Sequence, residues 1–553
     1  MTSHVLNVSR RVPIRALVAG LVALLIAVLL PATSADARPS GKHHSCERRT
    51  NDTYRELLEC ITLRGVREHQ AALQRIADRN GSTRASGTPG YDASADYVAR
   101  TLKKAGYEVT RQEFDFGFFE LLNTAMSING VALEPTDPIT GEGEYDVLEY
   151  SGNGDVTGAV LIPTNDVVVP IGDSPANTSS SGCEPEDFPV PPADAPAVSL
   201  VQRGTCPFAQ KALNAQAAGY EGVIVFNEGQ PGRDGVVLGT LGADVVGQMQ
   251  IPVVGISYER GAALVEGGDA TVDVSVEATS EIRTTENVLA ESRKGDPDNV
   301  VMAGAHLDSV VVGPGIQDNG TGSAALLETA LHMAKVRPVN KLRFAWWGAE
   351  EANLIGSTEY VGGLSEEELG QIALYLNYDM IGSPNYIFMT LDADESTFPA
   401  PAPPPAGSVA IEDLFESFYT WKGQPYDDTA FDGRSDYQPF INSGIPAGGL
   451  FTGAEVEKTP EQEAIWGGTA GEQFDPCYHL ACDTFDNVSR KALRINSDAV
   501  AFAMLTYAYS TEDVNGVPGK PVPGKPINLP EPAGPEGTFG STDGGGAHQH
   551  AAE

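Results

Sequence analysis

Positive charge is what this sequence has least of: 36 Lys and Arg stand against 75 Asp and Glu, a formal charge of −39 over 553 residues. Such a surface repels phosphate backbones and anionic lipid, which argues against nucleic acid and acidic membranes as partners. Histidine is also sparse, nine in all, and only His69, His306, His332 and His479 remain once the two ends of the chain are set aside. No Cys-x-x-Cys pair occurs, so a thiolate zinc site has little support. The Gly-x-Ser-x-Gly elbow that marks many serine hydrolases is missing too. After Leu30 no apolar run is long enough to span a bilayer.

What is present begins with an address. Arg10, Arg11 and Arg15 precede the apolar run Ala16–Leu30, and Ala35-Asp36-Ala37 supplies small residues before Arg38. That pattern is a secretory signal peptide over residues 1–37, cut after Ala37, which leaves a secreted protein with no stable membrane association. Six cysteines fit an oxidising compartment, and proximity along the chain pairs Cys46 with Cys60, Cys183 with Cys206, and Cys477 with Cys482. Other pairings are open at this stage. Residues 38–52 read as a linker. Residues 513–553, with Gly-Val-Pro-Gly-Lys-Pro-Val-Pro-Gly-Lys-Pro near their start, read as a disordered tail, because that composition cannot bury a core of its own.

The folded part is long enough for two units. Residues 53–129 read as helical and then extended: Ala95, Val98, Leu102 and Ala105 share a helical face ended by Gly106, and Tyr107–Phe118 alternates like a strand. Residues 130–285 have short apolar runs, Ala159–Ile162, Ala197–Val201, Gly222–Phe226 and Val253–Ile256, around an Ala-rich helix at Ala209–Ala218. Residues 286–512 alternate strands (Val300–Ala303, Leu342–Trp347, Ala373–Tyr378, Tyr386–Thr390, Ala447–Phe451) with helices such as Gly322–Lys335 and Glu366–Ile372. Continuous apolar strands between helices predict an α/β fold, a mostly parallel mixed sheet covered on both faces.

The chemistry-bearing residues collect where such a sheet places ligands, past the carboxyl ends of strands. His306 ends the first strand, and Asp308, two residues on, shares its face in extended chain. Asp318 opens a helix, Glu350 and Glu351 follow Leu342–Trp347, and Asp379 follows Leu374–Tyr378. Imidazoles and carboxylates without thiolates suit a pair of divalent metals, and imidazole favours zinc over magnesium or calcium. His69 and His332 read instead as exposed or capping residues of helices. The sequence leaves a structural calcium ion undetermined.

Two resemblances sharpen this. Arg203-Gly204-Thr205-Cys206-Pro207-Phe208 with Gly222-Val223-Ile224-Val225-Phe226-Asn227 resembles a protease-associated domain, inserted over residues 130–285. The runs Ala305-His306-Leu307-Asp308-Ser309, Gln317-Asp318-Asn319-Gly320, Trp346-Trp347-Gly348-Ala349-Glu350-Glu351, Asn377-Tyr378-Asp379-Met380, Gly433-Arg434-Ser435-Asp436 and Cys477-Tyr478-His479-Leu480-Ala481-Cys482 resemble the co-catalytic di-zinc aminopeptidases. The likeness is to the secreted, leucine-preferring bacterial type. It implies the phosphorylase/hydrolase-like di-zinc exopeptidase fold, two zinc ions per chain and peptide substrates. His306 and Asp379 would hold one ion, Glu351 and His479 the other, with Asp318 bridging. Asp308 would orient His306, and Glu350 would act as general base. Tyr478 would hydrogen-bond the oxyanion, Arg434 would bind a carboxylate of substrate or product, and a cis peptide would follow Asp318. Nothing in the sequence calls for an obligate partner, which makes a monomer the expectation. Di-zinc carboxypeptidases, aminoacyl cyclisation on the same fold, and a non-catalytic peptide-binding protein are the competing readings.

Overall fold

The computed structural model describes residue 46 and residues 48–137, 141–166 and 175–539. The leader at 1–37 and the first part of the linker lie outside the described residues. Asn51 is buried and donates to the carbonyls of Cys46 and His332, so the end of the linker is already part of the fold.

Three helices open the described chain, Tyr54–Leu58, Leu63–Arg79 and Pro89–Ala105. Gly106, at φ 107°, ends the third, in the left-handed conformation that favours glycine. Next comes β1 (Glu108–Ile128), longer than the alternation predicted, followed by the short β2 (Val131–Leu133) and β3 (Tyr145–Val147). A run of parallel strands follows: β4 (Gly154–Pro163), β5 (Ala197–Gln202), β6 (Gly222–Phe226) and β7 (Val253–Ile256). The four residues Val223 to Phe226 are all buried, because hydrophobic clusters cover both faces of these strands.

β8 (Thr271–Glu291) then pairs antiparallel with β1 from Glu108↔Glu291 to Ile128↔Val272. One end of β8 borders β4, and the other borders the sheet that carries the site. The boundary expected at 129/130 falls in the turn between β1 and β2. A single two-stranded ribbon runs through both units, and the second boundary falls inside β8.

The larger sheet comprises β9 (Asp296–His306), β10 (Asn340–Trp347), β11 (Ile372–Tyr378), β12 (Met389–Leu391), β13 (Asp427–Thr429) and β14 (Ala447–Phe451). Its order is β13-β12-β14-β11-β9-β10-β8, with β9, β10, β11 and β14 parallel and β12 antiparallel to β14. The alternation of strand side chains sorts β9 into two cores. Val301, Ala303 and Ala305 join the helices Gly320–Met333 and Arg490–Tyr509, and Met302 joins Trp347, Tyr375 and Phe440 on the other face. Tyr386–Phe388, expected as strand, is buried without ladder pairing; only Met389–Leu391 pairs.

The disulfides are Cys46–Cys60, Cys183–Cys206 and Cys477–Cys482. The expectation of a disordered tail is corrected as far as residue 539. Val522, Ile527, Leu529 and Phe539 pack on the main core, and the amides of Gly537 and Thr538 donate to Asp427 at 3.1 and 2.9 Å. Composition rules out a private core but not a borrowed one, and prolines with fixed φ lose little entropy when laid on a surface.

Candidate active site

His306 is the last residue of β9, so its ring is fixed by a strand buried on both faces. Its Nε2 stands 3.1 Å from Asp318 Oδ1 and 3.2 Å from Asp379 Oδ1. His479 Nε2 stands 3.0 Å from Glu351 Oε2 and 3.4 Å from Asp318 Oδ2. The two oxygens of Asp318 thus face different histidines, each with a further carboxylate at its side. Glu350 Oε2 lies 4.0 Å from His306 Nε2, and Asp308 Oδ1 lies 3.5 Å from His306 Nδ1, at the edge of hydrogen-bond reach.

Local backbone geometry aims these groups. Ala349, Met380 and His479 all have positive φ, 53°, 46° and 57°, a conformation that is uphill for side-chain-bearing residues and concentrates at functional sites. The peptide between Asp318 and Asn319 is cis. Asn319 caps the helix that follows, accepting from Gly322 N–H at 2.9 Å.

Several residues that hold the site were not singled out from sequence. Asp483 accepts from the amides of Gln317 and Asp318 at 2.8 and 3.0 Å. Ser435 donates to Asp379 Oδ2 at 2.6 Å and ends a relay in which each donor points toward that carboxylate. Trp347 Nε1 donates to Tyr375, Tyr375 to Asn377, and Asn377 to Ser435, at 2.8, 3.0 and 2.8 Å. Arg84 is wholly buried and donates to the carbonyls of Leu307, Pro314 and Gly315, tying together the loops that carry His306 and Asp318. Gly315, at φ 58°, admits no side chain, since a Cβ would meet Asp318 O at 2.3 Å. The serine lay within a quoted run, but Arg84 gave no sequence signal.

One expectation is corrected here. His69 and His332 are neither exposed nor caps; their Nε2 atoms each stand 3.3 Å from Glu328, away from the cleft. Arg434 lines the same cleft, where Nη1 pairs with Glu455 at 2.7 Å and Nη2 donates to Tyr478 Oη at 3.2 Å. The ring of Tyr478 stacks on that of His479 with centroids 3.8 Å apart.

Electrostatics show what the site wants. Burial pushes the Glu350 carboxyl well above the carboxylate range, with His306 opposing. Burial would lower both histidines, but the carboxylates around them win: His306 is driven well above its ordinary value, and His479 is pushed up to about 10. Four carboxylates, Asp318 and Glu350 buried and Glu351 and Asp379 half-buried, thus recruit positive charge from two imidazoles, and Glu351 Oε1 is buried with no hydrogen-bond partner. A mixed imidazole and carboxylate donor set sharing one aspartate fits a pair of divalent cations. The cleft is open to solvent and is lined by the apolar side chains of Met380, Leu391, Leu450 and Phe451.

Ligand-type side chains gathered past the carboxyl ends of a parallel sheet, open to a cleft, mark the chain as a metallo-exopeptidase. Residues 287–504 match peptidase family M28, and residues 163–264 match the PA domain. Over 465 residues the chain is 48% identical to an aminopeptidase of Pseudomonas aeruginosa, covering 83% of each protein. It is 36% identical over 502 residues to leucine aminopeptidase 2 of Trichophyton equinum, covering 90% of this chain and 92% of the relative. The solved aminopeptidase from Aneurinibacillus sp. strain AM-1 aligns with TM-score 0.59 and 26% identity, over 86% of this chain and 98% of that one. The chain belongs to peptidase family M28, with a PA domain inserted ahead of its main sheet.

Proposed function

We propose that this protein is a secreted, zinc-dependent aminopeptidase that removes apolar residues from the amino ends of peptides. The observation that carries the reading is the division of Asp318 between His306 and His479. It supports a first ion held by His306 and Asp379, a second held by Glu351 and His479, and Asp318 shared. Bound there, zinc would supply Lewis acidity toward the scissile carbonyl and make water a nucleophile at neutral pH.

The chain's own groups do the rest. Glu350 takes the proton of the attacking water and hands it to the leaving amine. Tyr478, whose phenol burial holds well above its ordinary pKa against the pull of Arg434, keeps its proton and donates to the oxyanion. Arg434 orients that phenol and is the proposed contact for a carboxylate at the rim. A floor of carboxylates favours a free amino terminus, and the wall of Met380, Leu391, Leu450 and Phe451 favours an apolar first side chain. Names of relatives, aminopeptidase and leucine aminopeptidase 2, agree with this. Secretion rests on the leader and on the three disulfides, and among the described residues no helix is long and apolar enough to cross a membrane. We propose a monomer.

Exhaustive chelation is expected to abolish hydrolysis of leucine p-nitroanilide, and zinc to restore it. N-acetylated peptides should resist cleavage while C-terminal amides are cut. Activity on the acetylated set would end the aminopeptidase reading, and activity surviving chelation would end the metal reading. Ser435→Ala removes the last donor to Asp379, so zinc affinity should fall by about 10–100-fold. Competition with a chromophoric chelator reads this directly, and wild-type affinity would remove Ser435 from the site's support.

A further inference from the structure

A second set of acids lies behind the wall of the cleft. Asp392 follows β12, Glu412 and Glu416 stand one turn apart on the helix Ser408–Lys422, and Asp428 lies in β13. Carboxylate oxygens of Glu412, Glu416 and Asp428 lie within 4.8 Å of one another, and so do those of Asp392, Asp394 and Glu412. Glu412 is 4% and Asp428 0% exposed.

Local donors satisfy only part of this set. Asp392 accepts from the amides of Ser396, Thr397 and Phe398. Glu412 Oε2 accepts from the amides of Ala393 and Asp394, and Asp428 Oδ2 from the Thr397 hydroxyl. Glu412 Oε1 and Asp428 Oδ1 are left buried with no hydrogen-bond partner. Lys422, at the end of the same helix, is turned away to Asp498. Glutamates four apart on one helix face also repel each other. Buried carboxylates without a counter-charge require either protons or a cation. Burial already pushes Glu412 up to about 9 and Glu416 up to about 7, with the neighbouring acids pushing the same way.

We propose that this pocket is a structural calcium site, separate from the catalytic cleft, in which Glu412, Glu416 and Asp428 supply carboxylate oxygens. An all-oxygen set without imidazole or thiolate selects a hard cation. An uneven cluster of carboxylates suits the loose coordination of calcium better than the strict octahedron of magnesium. Exposed Asp394 marks the side open to solvent. The ion would clamp the helix Ser408–Lys422 to the sheet edge formed by β12 and β13. Leu391 and Thr429, at the ends of those strands, line the cleft, and Asp427 anchors the C-terminal segment through Thr538. The site would therefore brace the specificity wall from behind without touching the reacting atoms.

The test uses the full chain saturated with zinc, so that the catalytic ligands do not compete. Equilibrium dialysis with radiolabelled Ca²⁺ should find one calcium per chain. Millimolar Ca²⁺ should raise Tm by about 3 °C. Glu412→Gln should weaken calcium binding at least tenfold and remove the Tm shift. If that variant fails to fold, Asp428→Asn is read in its place, and the wild-type dialysis is decisive alone. No calcium bound by the zinc-saturated wild type overturns the proposal, and so does unchanged affinity in a folded variant. Stability that rises on mild acidification with no calcium bound assigns the cluster to shared protons and also overturns it.

Discussion

Glu350→Gln should lower kcat by about 10³–10⁴-fold while zinc content and KM stay close to wild type. The amide keeps the size and hydrogen-bonding reach of the carboxyl, so the cleft and the neighbouring Glu351 stay in place. What it loses is the capacity to accept a proton. Its side chain lies 4.0 Å from His306 Nε2, farther than either Asp318 or Asp379, as a proton carrier beside a metal cage should lie. The same change at Glu351, whose Oε2 is 3.0 Å from His479, should instead reduce bound zinc. Metal analysis beside steady-state kinetics separates the two. Should Glu350→Gln lose an equivalent of zinc along with activity, Glu350 would be a ligand and the base would have to be sought elsewhere.

That pair shows how far the sequence reaches. The rule that ligands gather past the carboxyl ends of parallel strands located His306, Glu350, Glu351 and Asp379, because strand periodicity and strand ends are local properties of the chain. It could not divide the work between adjacent glutamates without the resemblance, since neither composition nor spacing says which side chain faces which histidine. Residues that act through tertiary contact were less legible. Asp483 reaches Gln317 across 166 positions, and Ser435 reaches Asp379 across 56. The ribbon of β1 and β8 is illegible for a related reason. Changes of texture at 130 and 285 suggest boundaries, but a two-stranded ribbon can change its neighbours along its length and remain one element. The segment 513–539 failed the composition test for a core and then used the surface of the domain as its own. Asp427, Tyr426 and Thr420 supply partners that no local reading contains.

Arg84→Met should destabilise the protein by about 3 kcal/mol and weaken zinc binding, although Arg84 touches neither the cleft nor any ligand-type side chain named above. The methionine can fill much of the arginine stem's volume, so the loss is one of donors. The carbonyls of Leu307, Pro314 and Gly315 would be left buried without their partner, each at about 1 kcal/mol or more. Removing a buried guanidinium relieves some desolvation, which burial expresses by lowering its pKa to about 10, and this sets the net below the sum of the three carbonyls taken at their upper range. The zinc effect follows from geometry. Leu307 is bonded to His306, and Gly315 stands three residues before Asp318, so loosening these loops would spread His306 and Asp318, two of the proposed zinc ligands. Arg84→Lys restores a charge and one donor but not the fork that grips three carbonyls, and should recover only part of the loss. Thermal unfolding of the zinc-loaded and zinc-free forms measures both effects at once. An Arg84→Met variant with wild-type Tm in both forms would mean that the loops hold themselves, and that the guanidinium only fills the space between them.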